Sequence, residues 1–284
     1  MTTLKEALRS RLNKKELLFL PRAFDIIGNI AILDIPSGLK KKEKIIAESL
    51  LKLQKNIKTV LKKAGKVSGR LRKRKLVWIA GEKIKETVHV ESGCKFKLDV
   101  ENCYFSPRLG ADRLEISKQV KQGEKVLVMF GGIAPYAIVI AKNSKPKIVY
   151  SIELSRTASR YATENVRLNK SSNVVIIQGD VKKILPKLKG KLKFDRIIMA
   201  RPQLKENFLL DALKVAHEGS IIHFYDFLKE EKMPDAALEK ISQAVETISK
   251  KSGVRIESYK LIKWKKVREI GPYKWYVRID FFVF

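Results

Sequence analysis

Three short segments, each following an apolar run, carry residue types suited to binding a nucleoside. The first is FGGIAP at Phe130–Pro135, where two glycines permit a tight turn and a close approach of a ligand to the backbone. The second is Glu153, near the end of the run KIVYSIEL, where an acid can accept hydrogen bonds from both hydroxyls of a ribose. The third is Gly179-Asp180-Val181, where a carboxylate can accept a hydrogen bond from the amino group of an adenine. These residue types predict a binding site for an adenosine-containing ligand.

The first segment differs from the glycine-rich loops that bind phosphate chains. It is not G-x-G-x-x-G, and it lacks the Gly-Lys-Ser/Thr of a phosphate-binding loop. A ligand without a phosphate chain therefore fits better than NAD or ATP, and S-adenosylmethionine is the best candidate. The alternative is a glycine-rich turn with two acids that serve only the fold.

The elements that must position these residues alternate between strand and helix after residue 120. Apolar runs predict strands over 125–130, 147–154, 173–178, 194–200 and 220–227, and helical spacing predicts helices that end near 143, 169 and 251. Segments 261–267 and 273–284 are predicted to form a closing antiparallel pair. This alternation predicts an α/β fold with a doubly wound, mostly parallel sheet, whose ligand site lies at the carboxyl ends of the strands.

The chain before residue 120 has shorter elements that are richer in strands. Segment 23–36 is predicted to be a hairpin about Gly28-Asn29, and segment 40–61 an amphipathic helix with a basic outer face. Further strands are expected over 75–80, 87–90 and 95–100, and a helix over 111–120 is expected to link the two halves. We therefore expect a small α+β domain over residues 1–110 and an α/β domain over 111–284.

The charge of the chain points to a polyanionic partner. Lys and Arg number 60 against 30 Asp and Glu, a formal net charge of +30. Nucleic acid is the simplest such partner, and phosphate contacts are expected to supply much of the affinity. Two cysteines and three histidines argue against a disulfide framework or a zinc site, and we expect no metal. The chain has no apolar stretch of membrane-spanning length and no signal peptide, which predicts a cytoplasmic protein.

The segment YFSPRLGADR at residues 104–113 resembles the YFSPRLxxER motif of the archaeal and eukaryotic tRNA (guanine-37 N1)-methyltransferases. Segments 20–36, 55–76 and 125–135 are also similar to that family, and the resemblance covers roughly residues 17–284. It implies a class I, Rossmann-like methyltransferase domain preceded by a small RNA-facing α+β domain. Some members carry a further N-terminal domain that touches the tRNA body. Only about 17 residues precede the resemblance, so we expect that domain to be absent.

The resemblance also implies a role for each residue that matches the family. Asp112 stands at the position of the general base, which is a Glu in the family. Arg72 is the best match for an arginine that supports the guanine, with Arg70 and Arg74 as alternatives. The implied cofactor contacts are Arg113, Phe130, Gly131, Gly132, Pro135, Glu153, Leu154, Asp180 and Val181. The implied substrate contacts are Tyr104, Ser106, Pro107, Arg108 and Pro202.

The implied reaction moves a methyl group from S-adenosylmethionine to N1 of the guanine that follows the anticodon. Methylation at N1 requires removal of the N1 proton, which a carboxylate within hydrogen-bonding reach can accept. An arginine facing O6 would stabilise the charge left on the base. The expected partner is therefore the anticodon stem-loop of tRNA. We expect the chain to act as a monomer, with no obligate protein partner and no membrane association.

Three departures from the family pattern keep other functions open. Asp112 is one methylene shorter than Glu, Val128 replaces an Asp in the first motif, and Ala200-Arg201-Pro202 replaces Asn-Leu-Pro in the fourth. Relatives that transfer the aminocarboxypropyl group in wybutosine synthesis lack the carboxylate base and alter the fourth motif. The altered Ala200-Arg201-Pro202 agrees with them, whereas Asp112 and the intact SPRL block argue against that alternative. The alternatives are therefore such a transferase, or a homologue that has lost catalysis and only binds RNA.

Overall fold

The computed structural model describes residues 3–21, 23–65, 75–188, 190–201, 207–250 and 256–284. The chain forms two compact units, the first comprising residues 1–91 and 95–107 and the second residues 92–94 and 108–284. The division falls at Pro107, near the boundary expected at residue 110. Each unit has its own hydrophobic core, and each is described separately below.

The first unit combines short helices with short strands. Its helices are α1 (Leu4–Ala7), α2 (Lys14–Leu18) and α3 (Glu43–Leu53). Its strands are β1 (Asp25–Ile27), β2 (Ile30–Leu33), β3 (Thr59–Lys63), β4 (Leu76–Gly81), β5 (Glu86–Glu91) and β6 (Cys94–Asp99). Strands β1 to β4 form one sheet in sequence order, and β5 pairs with β6. The hairpin predicted about Gly28-Asn29 is confirmed, because β1 and β2 pair antiparallel across it.

The helix predicted over 40–61 is wrong at its carboxyl end. Helix α3 stops at Leu53, and residues from Thr59 form strand β3 instead. This strand pairs parallel to β2 and antiparallel to β4, so both of its edges gain ladder hydrogen bonds. Thr59 and Val60 are fully buried and β-branched, a combination that favours a strand over a helix. Tertiary pairing therefore overrides the helical spacing of this segment.

The second unit contains the alternating pattern that the sequence predicts. Its helices are α4 (Gly110–Gln119), α5 (Pro135–Asn143), α6 (Arg156–Leu168), α7 (Val181–Leu188), α8 (Leu209–Val215) and α9 (Asp235–Ser249). Its strands are β7 (Lys125–Met129), β8 (Ile148–Glu153), β9 (Val174–Gln178), β10 (Phe194–Met199), β11 (Ala216–Lys229), β12 (Tyr259–Gly271) and β13 (Lys274–Val283). Helices α7 and α8 were not predicted.

These seven strands form one sheet in the order β12-β13-β11-β10-β7-β8-β9. Strands β11, β10, β7, β8 and β9 run parallel, and β13 pairs antiparallel with β11 and β12. The doubly wound sheet and its closing antiparallel pair are thus confirmed. The chain order reverses between β7 and β10, and ligands of such sheets bind outside the carboxyl ends of the strands at that point.

The core of the second unit lies between this sheet and the helices that pack on it. Leu127, Ile197, Ile222 and Phe281, on four neighbouring strands, are all fully buried. The central strands are apolar along most of their length because helices cover both faces of a doubly wound sheet. Among the helices that the structure describes, none is long and apolar enough to cross a lipid bilayer.

Replacing a central core residue should destabilise the second unit. Ile197 on β10 is fully buried, so Ile197→Ala should lower the free energy of unfolding by about 2–5 kcal/mol through lost burial and a residual cavity. The matched control is Ile262→Ala on the edge strand β12, where the side chain is 54% exposed. Urea denaturation measures both changes. Equal losses for the two variants would contradict this view of the core.

Candidate active site

The loop after β7 closes tightly on the carboxyl end of β8. Phe130 and Gly132 have positive φ angles of 64° and 58°, which turn the chain sharply between β7 and α5. The Gly131 N–H donates to the Ile152 carbonyl oxygen at 2.7 Å. A Cβ at position 131 would lie only 2.0 Å from the Ser151 Oγ, so only glycine fits there. The loop is therefore held against the end of β8, and a side chain at position 131 would push it away.

The Glu153 carboxylate fixes this loop from the end of β8. Its Oε2 accepts from the Gly132 N–H at 2.8 Å, and its Oε1 accepts from the Ser155 N–H at 2.6 Å. Each carboxylate oxygen has a second lone pair with which it can accept a further hydrogen bond. Glu153 is thus both a brace for the loop and an acceptor of the kind that ribose hydroxyls need.

The third predicted segment lies beside the second, because β8 and β9 are neighbours. The Gly179 N–H donates to the Glu153 carbonyl oxygen at 2.8 Å. Asp180 is half-buried just before α7, and Val181 in the first turn of α7 is 4% exposed. The Leu154 carbonyl oxygen accepts from the Gln178 amide at 3.3 Å. The structure thus brings the three cofactor segments to one edge of the sheet.

These residues fit an adenosine cofactor without phosphates. Gly131 allows the loop to pack closely on β8, and Glu153 and Asp180 supply acceptors at the ends of β8 and β9. Within the described ranges, no cluster of three His, Cys, Asp or Glu could hold a metal ion.

The carboxylate of Asp112 lies in a buried polar cluster at the start of α4. Asp112 is 3% exposed. Its Oδ2 accepts from the hydroxyls of Tyr136 at 2.8 Å and Tyr225 at 2.5 Å. Its Oδ1 accepts from Arg278 Nη1, also at 2.5 Å. The neighbouring Arg113 is 1% exposed, and its guanidinium carbon lies 5.8 Å from the centre of the Tyr136 ring. Both residues of the motif therefore face the interior of the unit.

Arg278 links this cluster to a longer buried network. Its Nε donates to Asp280 Oδ2 at 3.1 Å, and the Oδ1 of Asp280 lies 2.7 Å from His223 Nδ1. The Nε2 of His223 lies 2.9 Å from Arg196 Nη1. Burial is the main cause that lowers the pKa of His223, which is fully buried and stays neutral. His223 is a packed strand residue, consistent with its place in an apolar strand.

Sequence reasoning missed Tyr136, Tyr225 and Arg278. A signal was available for the last of these, since Arg278 and Asp280 alternate with Val277 and Ile279 in β13. Alternating residues share one face of a strand, so two opposite charges inside an apolar strand indicate a buried ion pair. The tyrosines carry no comparable signal, because a buried tyrosine is common in any core.

The remaining predicted residues lie elsewhere or outside the described ranges. Tyr104 is half-buried, Ser106 is buried at 9% exposure, and both belong to the first unit. Pro107 ends that unit, and the exposed Arg108 belongs to the second. Arg72, its alternatives Arg70 and Arg74, and Pro202 lie outside the residues that the structure describes.

The altered fourth motif follows β10 and reaches the cofactor loop. The Ala200 carbonyl oxygen accepts from the Tyr276 hydroxyl at 3.2 Å. The Arg201 guanidinium carbon lies 5.6 Å from the centre of the Phe130 ring, which also packs edge-on against Phe208 at 5.1 Å. A cation thus stands over the first residue of the loop. The sequence showed Arg201 only as a departure from the family pattern.

The fold and the site define a class I, Rossmann-like methyltransferase with a site for S-adenosylmethionine. Residues 87–256 match the TRM5/TYW2 methyltransferase domain, and residues 4–84 match the TYW2 N-terminal domain. The chain belongs to the TRM5/TYW2 methyltransferase family. The family expected from YFSPRLGADR is therefore confirmed.

The relatives of this chain differ in the reactions for which they are named. It is 40% identical to the tRNA (guanine(37)-N(1))-methyltransferase Trm5b of Pyrococcus abyssi, over 93% of this chain and 75% of that protein. It is 30% identical to a tRNA(Phe) (4-demethylwyosine(37)-C(7)) aminocarboxypropyltransferase of Pyrococcus horikoshii, over 99% of this chain and 96% of that one.

A solved relative carries a ligand related to the cofactor. The structure of P. horikoshii TYW2 in complex with MeSAdo superposes with a TM-score of 0.80 at 27% identity. The superposition covers 99% of this chain and 98% of that one. The cofactor expected from the sequence, S-adenosylmethionine, is that of the family.

Adding a methyl group at Gly131 should weaken cofactor binding. The new Cβ of Gly131→Ala would press against Ser151 Oγ, so the loop must move away from β8. We expect at least a ten-fold weaker affinity for S-adenosylmethionine by calorimetric titration, because a displaced loop loses its bond to Glu153. Adding Ser151→Ala should recover part of it. Gly271→Ala is the control, since a Cβ there meets nothing within 4 Å. Unchanged affinity of Gly131→Ala would disprove the close fit.

Acid should weaken the anchoring of α4 through Glu115. Burial acts to raise the pKa of Glu115, but hydrogen bonds from Lys265, Arg278 and Lys263 outweigh it and lower the pKa from 4.5 to about 2. Because the folded pKa lies below the unfolded one, the stabilisation is complete above pH 4.5 and is lost as the pH falls towards 2.

The difference in unfolding free energy between the wild type and Glu115→Gln should therefore shrink as the pH falls through this range. Denaturant titrations at a series of pH values measure it. Glu231→Gln, at an exposed acid outside α4, is the control. A constant difference between wild type and Glu115→Gln would count against the assigned contacts.

Proposed function

We propose that this chain methylates N1 of guanine 37 in tRNA, next to the anticodon, with S-adenosylmethionine as donor. The observation that carries the proposal is the 40% identity to the P. abyssi methyltransferase over 93% of this chain. The buried carboxylate of Asp112, at the position of the family's general base, is consistent with it.

The cofactor site has the residues to orient the donor. When bound, S-adenosylmethionine supplies a methyl group on a sulfonium, which is already a good leaving group. Glu153 would hold the ribose, and the backbone at Gly131 would lie against the cofactor. Because little activation is needed, fixed alignment of donor and acceptor accounts for much of the rate.

Asp112 is the proposed acceptor of the N1 proton. A carboxylate has about four acceptor sites, and among the described residues three donors contact this one. The second lone pair of Oδ1 is therefore the site left for the proton. A general base of this kind contributes typically about 10²–10⁴-fold to the rate.

Exposed lysines in both units supply charge for holding RNA. Around α3 the exposed residues include Lys40, Lys41, Lys44 and Lys52, and on α7 they include Lys182, Lys183 and Lys187. With a net charge of +30, the chain suits a phosphate backbone and should bind it in a salt-dependent way. We propose the anticodon stem-loop as the part of the tRNA that is bound.

A second candidate is transfer of the aminocarboxypropyl group to a modified base at the same position of tRNA. Arg201 favours this candidate, because it replaces the family's Leu and places a cation beside the cofactor loop. The 30% identity to the P. horikoshii aminocarboxypropyltransferase over nearly the full length of both chains also supports it. A third candidate, RNA binding without catalysis, leaves the fitted cofactor residues without a role.

Product mapping decides between these functions. Incubation with unmodified tRNA and labelled cofactor, followed by nuclease digestion and mass spectrometry, should show one methyl group at N1 of guanine 37. A larger adduct on a tRNA that already carries the tricyclic base would favour the second candidate. No transfer together with no cofactor binding would leave only RNA binding.

Removing the proposed base should stop the chemistry but spare cofactor binding. Asp112→Asn should lower kcat at least about 100-fold, because the amide cannot accept the proton. Calorimetry should give the same affinity for S-adenosylmethionine as the wild type. Asp235→Asn, which removes an exposed acid from the first turn of another helix, α9, is the control for loss of one acidic side chain, and thermal melting identifies any loss that comes from breaking the ion pair of Asp112 with Arg278. A full rate in Asp112→Asn would refute the assignment.

A further inference from the structure

Three donors from three different elements hold the Asp112 carboxylate. Arg278 comes from β13 and lies 2.5 Å from Oδ1. Tyr225 comes from β11 and Tyr136 from α5, and their hydroxyls reach Oδ2 at 2.5 and 2.8 Å. Both carboxylate oxygens are thus fixed, one by a charge and the other by two hydroxyls. We call this group of three donors the Asp112 clamp.

Each member of the Asp112 clamp is itself fixed by its neighbours. Arg278 is fully buried and also donates to Glu115 Oε1 at 2.7 Å. The Tyr225 ring stacks on Tyr276 with centres 5.1 Å apart. Tyr136 is 5% exposed and sits under the Arg113 guanidinium. None of the three donors can rotate away without losing another contact, so the orientation of Asp112 is set before any substrate binds.

The charges in the clamp keep its donors in the donating form. Burial raises the pKa of both Tyr136 and Tyr225, with the charge of Asp112 adding to it, so both hydroxyls keep their protons. Burial acts to lower the pKa of Arg278. The electrostatic interactions with Tyr225, Asp112 and Asp280 have the larger effect and raise that pKa, so Arg278 stays a cation. The carboxylate therefore faces a cation on one side and two neutral O–H donors on the other.

The clamp leaves one acceptor position of the carboxylate without a donor among the described residues. The two hydroxyls take both lone pairs of Oδ2, and Arg278 takes one of Oδ1. Among the residues that the structure describes, no other donor is placed on the second lone pair of Oδ1. A freely rotating aspartate would offer either oxygen, whereas this one offers a single acceptor direction. Alignment of this kind is how enzymes supply pre-organised acceptors.

We propose that Tyr136, Tyr225 and Arg278 are positioning residues that aim the second lone pair of Asp112 Oδ1 at the proton of the target base. This inference rests on the proposed function, in which Asp112 is the proton acceptor. In the step, the N1–H bond breaks and an O–H bond forms at Oδ1. The freed electron pair of N1 forms the new bond to the methyl carbon, the carbon–sulfur bond breaks, and the thioether product leaves.

A purely structural role for the clamp predicts different behaviour. The buried charges of Arg278 and Asp112 need one another regardless of any reaction, because an unpaired buried charge is costly. If the tyrosines only support that pair, their removal lowers stability and leaves turnover unchanged. If they aim the acceptor, their removal lowers kcat and leaves cofactor affinity unchanged.

The test removes single hydroxyls and keeps the rings. Tyr225→Phe and Tyr136→Phe each delete one hydrogen bond to the carboxylate and also the 3.2 Å contact between the two hydroxyls, while retaining the aromatic packing. We expect kcat for transfer to tRNA to fall by about ten-fold or more, the size expected for a hydrogen bond to a charged group. The affinity for S-adenosylmethionine and the KM for tRNA should stay within about two-fold of the wild type. Tyr259→Phe is the matched control, because its hydroxyl contacts only the Leu238 carbonyl oxygen, at 3.4 Å, among the described residues.

A combined variant separates aiming from general damage. In an Asp112→Asn background the residual single-turnover rate should be unaffected by adding Tyr225→Phe, because the hydroxyl acts through the carboxylate. Equal losses in both backgrounds, or a full kcat in Tyr225→Phe, would overturn the proposal. Thermal melting of each variant identifies any loss that comes from unfolding.

The same assay tests the role of the clamp and the proposed function by separate readouts. It counts label transferred from the cofactor to any base of the tRNA, and product mapping then locates the base. Transfer at another position would overturn the assignment to guanine 37, while the response to Tyr225→Phe still decides the role of the clamp. A wild type that transfers nothing to any tRNA would overturn both.

Discussion

A buried ion pair between Arg278 and Asp112 governs how the second unit is assembled. Two charges taken out of water are stable only when each is fully satisfied, so both residues recruit further partners. Arg278 also binds Glu115 and Asp280, and Asp112 takes two tyrosine hydroxyls. Helix α4, helix α5 and strands β11 and β13 must therefore keep one fixed arrangement. That arrangement is also the one that places the motif residues Asp112 and Arg113.

Glu153 is a second buried acid that holds elements together, at the edge of the sheet where the predicted cofactor segments meet. Glu153 ties the loop after β7 to the end of β8 through the Gly132 N–H, and Gly131 allows the approach. Both devices use a buried acid to fix one element against another. They differ in the proposed use of their remaining acceptor positions, which is to bind a ribose at Glu153 and to accept a proton at Asp112. Fold stability and chemistry thus draw on the same side chains.

The three departures from the family pattern lie at positions that the structure describes. Val128 is 1% exposed within β7, so it serves the core of the sheet and adds no polar group at the cofactor edge. Arg201 adds a cation beside Phe130 instead. Asp112 is shorter than the family's Glu, and two tyrosine hydroxyls together with Arg278 reach it inside the unit. The departures thus change the polar surroundings of the site and leave the order of the strands unchanged.

The sequence by itself determined the alternating pattern of the second unit, the hairpin about Gly28-Asn29 and the meeting of the segments around Gly131, Glu153 and Asp180 at one edge of the sheet. These features are local, because hydrophobic periodicity, glycine and strand-end acids are each visible in a short window. Only the tertiary structure decided that the chain from Thr59 is a strand, since pairing with β2 and β4 stabilises it. It alone joined Asp112 to Tyr225 and Arg278, which are more than 100 residues away. Contacts between distant segments come from sheet order and packing, and neither is encoded in local spacing.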